Sequence, residues 1–428
     1  MKMSEGSGFQ GNSDFAKSNS EREVVSVARR GSSKAVRGTI HRRSGLNAYR
    51  SNAAEQEDET IRLANEYMLK QDVTSLRKLA AIRGLVNANL RKRAWPFMLG
   101  TKTTDVHGTR RGEYQLKHTM SHKDDAVVNA DMERSLWKYT KDWTDEERDR
   151  ERQALKRIVN ATVEGNEEGI FYYQGLHDVA SVLLFVCGEG AAHSMLARLA
   201  HCHLRDCTRS SIQPAISTLK LLYPILYHAD QELYSFIMSL GEPALEVPYF
   251  ALSWLMTWFS HDLDGLEESA RLFDLFLASH PLMPLYVAAE VVRQARDDIM
   301  RFDSSEGPMV YSYLNKLRIL GPEASSSANS LAQEAAALYK RIPPAVLATG
   351  PLRKELILYQ CTTPFAHLDD DRWNTADAID YNQYPSSHPF QPRRIARKAQ
   401  TVVLGAVLTG LAGLAMILSQ QQAHSFRP

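Results

Sequence analysis

The sequence predicts an all-α protein: one large multi-helix domain over residues 59–350, followed by a single-pass membrane helix at 401–419. Three observations carry this expectation. From Glu59 to about residue 350, apolar side chains recur at three- and four-residue spacing, with few alternating β-branched runs. Gly, Pro and His-Pro breaks divide this stretch into helix-length pieces, with no fixed-period repeat. Finally, TVVLGAVLTGLAGLAMILS at 401–419 carries no charge and approaches the ~20 apolar residues that span a bilayer.

In chain order, residues 1–58 are rich in Ser, Gly, Asn and Arg and poor in large apolar side chains, so disorder is expected there. The basic cluster from Arg29 to Arg43 reads as a solvated tail or as a contact with acidic lipid or a partner. SLRKLAAI starts a helix after Thr74 or Ser75 and sets Leu76, Leu79 and Ala80 on one face. Thr144 and Glu147 form a capping box, and the helix that follows places Leu155, Ile158, Val159 and Thr162 together. SWLMTWFSHDL, ARLFDLFLASH and PLYVAAEVVRQARDDIM read as further helices, and Ser325–Lys340 as another, ended by the two prolines of RIPPAV. Residues 351–400 are a polar linker closing on Arg393, Arg394, Arg397 and Lys398. That basic cluster keeps the preceding domain cytoplasmic and leaves 420–428 as a short lumenal tail. The short apolar span suits a thinner membrane such as the ER, and Gly405, Thr409, Gly410 and Gly413 leave a homodimer through this helix open.

Charge and cysteines narrow the function. Lys plus Arg number 51 against 50 Asp plus Glu, so no global field draws the chain to nucleic acid. Cys187, Cys202, Cys207 and Cys361 form no CxxC pair and read as reduced thiols. HCHLRDC, from His201 to Cys207, matches no common zinc spacing. No glycine-rich phosphate loop, HExxH or GxSxG motif appears, so no cofactor or metal of its own is expected, and catalysis would mean lending groups to a partner.

Three segments resemble, in this order and separation, the TBC domain of Rab GTPase-activating proteins. LRKRAWPFML carries Arg91 four residues before Trp95, VNADMER has the form I-x-x-D-x-x-R with Val128 for Ile, and YYQG fits Y-x-Q-G. SWLMTWF and RLFDLFL resemble later signature segments of that family. The resemblance covers roughly Glu59 to Arg341. Phrases such as YYQGLHD, together with the apolar tail, look like a tail-anchored ER subfamily acting on Rabs of ER-to-Golgi traffic.

The resemblance implies a dual-finger mechanism on a GTP-loaded Rab, with GTP and Mg belonging to that partner. Physical chemistry fits the two residues. Arg134 has the permanent charge and planar fork that neutralise charge developing between phosphates, worth on the order of 10³ to 10⁵ in rate. Gln174 both donates and accepts, as holding an attacking water requires. In supporting roles, Asp131 would hold the Arg134 guanidinium, Tyr172 would orient the loop, and Gly175 would allow a tight turn beside the partner's nucleotide. Arg91 and Trp95 read as structural supports of the catalytic loop. By itself Arg134 reads as a surface arginine paired with Glu133 or Asp131, and Gln174 as the start of a helix. His177 and Asp178 either reach the partner or face solvent. The alternative function is a catalytically silent TBC scaffold or an ER-anchored helical tether.

Overall fold

The computed structural model describes residues 54–101, 124–163, 169–320 and 327–347, and among these residues every regular element is helical. The α-helices are α1 (54–69), α2 (Val73–Arg83), α3 (Ala88–Leu99), α4 (Asp125–Glu133), α5 (Asp145–Val163), α6 (Leu176–Cys187), α7 (Glu189–His201) and α8 (Gln213–Leu219). They continue as α9 (Leu222–Ala229), α10 (Gln231–Ser239), α11 (Leu252–Thr257), α12 (Leu266–Leu277), α13 (Met283–Gln294), α14 (Arg296–Ile299), α15 (Gly307–Asn315), α16 (Ala328–Arg341) and α17 (Pro344–Leu347). The expected linker, apolar run, lumenal tail and homodimer contact lie outside the described residues, as do the tail up to residue 53 and Cys361. Among the described residues no helix is long and apolar enough to cross a membrane.

Local chemistry sets the boundaries. α1 is helical before Glu59, which shortens the tail expected to be disordered. Glu55, Glu57 and Asp58 near its start complement the positive end of the helix dipole. α2 begins earlier than Thr74 because Asp72 is its cap, its carboxylate accepting from the Ser75 N–H at 2.9 Å. The capping box of α5 is present: Glu147 Oε2 accepts from the Thr144 N–H at 2.9 Å, and Thr144 Oγ1 accepts from the Glu147 N–H at 3.3 Å. The face predicted for α5, Leu155, Ile158, Val159 and Thr162, is buried. α16 starts from Ser327, whose hydroxyl accepts from the Ser330 N–H at 3.2 Å.

Two expected helices are broken. PLYVAAEVVRQARDDIM divides at Ala295 into α13 and α14. In SWLMTWFSHDL, α11 stops at Thr257 because Trp258 and Phe259 adopt positive φ, 51° and 63°. Left-handed backbone costs each non-glycine residue about 1–3 kcal/mol. Burial of both rings offsets it. Trp258 stands edge-on to Phe273 at 5.2 Å and packs on Phe276 at 5.3 Å, while Phe259 stacks between Trp254 and Phe276. Such pairs contribute about 0.5–1.5 kcal/mol each beyond the area they bury. This aromatic knot lies at the centre of the core, with α12 packed on α2, α3 and α16, and α6 packed on α3, α5 and α7.

Candidate functional site

α4 ends at Arg134. Val128, Asp131 and Met132 face the core, and the Arg134 N–H closes the helix on the Met132 carbonyl, which also accepts from Ser135 Oγ at 2.8 Å. The guanidinium therefore leaves the helix at its negative end, where a cation is favoured. Its side chain keeps 49% of its surface exposed, while Asp131, one turn back, is completely buried and accepts a hydrogen bond from Arg134 Nη2.

The second segment is an extended strap running into α6. The Phe171 N–H donates to the Thr208 carbonyl at 2.8 Å, and the Tyr173 hydroxyl donates to the Met256 carbonyl at 2.8 Å. Tyr172 donates to Asp131 Oδ2 at 2.6 Å. Gln174 is exposed between these tethers and Gly175. Gly175 has φ +112°, and a Cβ there would lie 2.8 Å from Thr257 Cγ2. The glycine expected to ease approach to a partner is itself buried, so its missing side chain serves the docking of the strap onto α11.

One carboxylate thus joins the two segments: Asp131 takes Arg134 on Oδ1 and Tyr172 on Oδ2. Burial and the neighbouring Asp131 charge push the Tyr172 hydroxyl far above its usual pKa, so it remains a donor. Its proton goes to the carboxylate, and the contact with His177 Nδ1 at 2.9 Å is then made by an imidazole N–H donating to the phenol oxygen. His177 and Asp178 belong to this frame. His177 is buried and Asp178 has only 15% of its side chain exposed, so neither is the solvent- or partner-facing group expected. Helix α6 buries nearly every side chain of its own, which turns both residues inward.

The Rab-GTPase-TBC domain family matches residues 88–300, a span that contains both segments. The GTPase-activating protein gyp10 of Schizosaccharomyces pombe is 30% identical over 300 residues, covering 69% of this chain and 75% of that protein. This chain belongs to the Rab-GTPase-TBC domain family. TBC1 domain family member 20 of Bos taurus is 34% identical, and that of Homo sapiens 33%, over 236 residues, 54% of this chain and 56% of each relative. The chain spans about half the length of these mammalian relatives.

Within the TBC domain, Arg91 and Trp95 are structural, but they support α12 and do not touch Arg134 or Gln174. Asp274 accepts from Trp95 Nε1 at 2.7 Å, from the Leu85 N–H at 2.8 Å and from Arg91 Nε at 3.2 Å. Arg91 Nη1 reaches Glu267 at 2.5 Å. α3 also packs on α6, the helix that follows the strap. Elsewhere in the domain His203 lies edge-on to Trp258 at 5.7 Å, and burial lowers its pKa to about 3. Among the described residues no group of His, Cys, Asp and Glu is placed to hold a metal. Cys187, Cys202 and Cys207 are buried and in no disulfide, with Cys187 pushed up to about 12 by burial, a setting for packing and not for nucleophilic attack.

Sequence reasoning missed the receiving surface of the strap, formed by Met256, Thr257 and His261. Its signal was absent because SWLMTWFSHDL reads as a helix, and only the positive φ of Trp258 and Phe259 turns those groups toward residues 173–178.

Proposed function

We propose that this chain is a GTPase-activating protein for a Rab of the ER-to-Golgi pathway, supplying Arg134 and Gln174 in trans. One observation carries the reading: a fully buried carboxylate, Asp131, anchors a half-exposed arginine and the tyrosine two residues before an exposed glutamine. A structural ion pair has no need of an exposed end, whereas a finger requires a buried root and a free tip. The partner brings GTP and Mg. Arg134 brings a permanent cation and a bidentate fork to the phosphate charge that grows as the γ-phosphoryl departs. Gln174 holds the attacking water in line, since an amide accepts from the water and donates to phosphate oxygen without taking a proton. Asp131 keeps the arginine extended and ties its register to that of the glutamine. The apolar run 401–419 behind PRRIARK supports a membrane anchor that keeps this action at the ER or early Golgi.

Single-turnover GTP hydrolysis by a panel of Rabs, with the purified full chain and its Arg134→Ala and Gln174→Ala variants, tests the reading. Acceleration of at least one Rab and its loss in both variants are expected. A panel with no accelerated Rab, or full activity in either variant, would sink it. Release from membranes of a chain ending at residue 400 tests the anchor, and continued ER residence would count against it.

A further inference from the structure

Gln174 is tethered on both sides to one short stretch of chain. Before it, the Tyr173 hydroxyl reaches the Met256 carbonyl; after it, Asp178 Oδ2 lies 3.3 Å from His261 Nδ1. Met256 and His261 bracket the turn in which Trp258 and Phe259 take positive φ. The His261 N–H also bonds Thr257 Oγ1 at 3.3 Å, and the methyl group of Thr257 fills the space beside Gly175. Asp178 in turn closes the Gln174 turn, its N–H donating to the Gly175 carbonyl at 3.1 Å.

We propose that Asp178 and His261 form a positioning clamp, closed when His261 is protonated, that sets the angle at which Gln174 meets the partner's nucleotide. The proposal rests on the functional reading above. His261 is suited to the role because its side chain is 48% exposed, so it exchanges protons with solvent, while Asp178 is nearly buried.

Several titratable groups face the pair. His177 Nε2 is 3.8 Å from Asp178 Oδ1, Lys138 and Tyr139 approach from the turn after α4, Tyr172 and Tyr173 from the strap, and Asp262 from beside His261. For Asp178, burial opposes the charge, but His177, His261 and Lys138 outweigh it and hold the carboxyl below its usual range. The bond to Asp178, reinforced by the charges of Asp178 and Asp262, raises His261 above 6.5 against burial and Lys138. The sign follows. Asp178 stays ionised, the clamp is complete below the ordinary histidine pKa of about 6.5, and it weakens as pH rises through the higher folded value of His261.

The test uses the full chain in two measurements. Histidine NMR titration of wild type should place His261 above about 6.5, and Asp178→Asn should return it to that value or lower. An ordinary His261 pKa, or one that Asp178→Asn leaves unmoved, overturns the clamp whatever the hydrolysis assay shows. In single-turnover hydrolysis, His261→Gln should lower kcat on the order of tenfold with KM for the Rab unchanged. It should also flatten the decline in acceleration between about pH 6 and about pH 8.5, and cost nothing further on a Gln174→Ala background. An effect on KM instead, or an equal loss on the Gln174→Ala background, overturns the clamp alone. A wild-type chain that accelerates no Rab overturns the functional reading and the clamp's role with it.

Discussion

Two buried aspartates in this domain each hold an arginine, and they do opposite things with it. Asp274 receives Arg91, the Trp95 indole and a backbone N–H, and the Arg91 side chain keeps 5% of its surface exposed. Asp131 receives Arg134 and the Tyr172 hydroxyl, and Arg134 keeps 49%. The chemistry of the pairs is the same. When both ends are buried the pair locks α3 and α12 to the loop after α2, and when one end emerges it becomes a rooted, half-exposed cation. Burial of the second partner separates the structural pair from the proposed finger here.

That contrast can be broken by substitution. The largest effect is expected for Arg134→Ala, which should lower stimulated Rab hydrolysis on the order of 10³-fold or more, with a smaller loss in the urea midpoint than Arg91→Ala because water replaces the half-exposed guanidinium beside Asp131. Loss of folding instead of rate would place Arg134 with Arg91. Next comes Arg91→Ala, which strands the Asp274 charge and should cost about 3–5 kcal/mol in urea unfolding. A midpoint close to wild type would show that the hub is not structural. Tyr172→Phe removes a neutral donor to a buried charge and should cost about 1.5–3 kcal/mol, with kcat falling more than KM rises. If hydrolysis is untouched, Asp131 does not link the two fingers. The smallest effect is expected for Gly175→Ala, about 1–3 kcal/mol from the positive φ, with lost activity because Thr257 must yield to the new methyl group. Unchanged unfolding and hydrolysis would mean that the strap's docking does not matter.

The site was legible in part. Two short motifs mark Arg134, Asp131, Tyr172 and Gln174, and the Asp131–Arg134 bond follows from i,i+3 spacing on one helix. The Asp131–Tyr172 bond spans 41 residues and has no local signature. Arg91 and Trp95 were legible as structural, but their acceptor Asp274 was not, since it lies more than 170 residues away in a segment that reads as apolar helix. The sequence does not place His177 and Asp178, because charge and polarity suggest a surface, while the frame that satisfies them inside the domain comes from α4, the strap and the turn after α11.

By itself the sequence determined what short-range forces control: the helical class through apolar spacing, the start of α5 through its capping box, and the residue types at the two proposed finger positions. Tertiary structure alone decided where α11 ends, since nothing local favours positive φ at Trp258 and Phe259. Only the aromatic packing with α12 offsets that backbone cost. It also decided which of two chemically equal arginines is buried, because exposure depends on what the rest of the chain packs against, and that is not written in the spacing around either one.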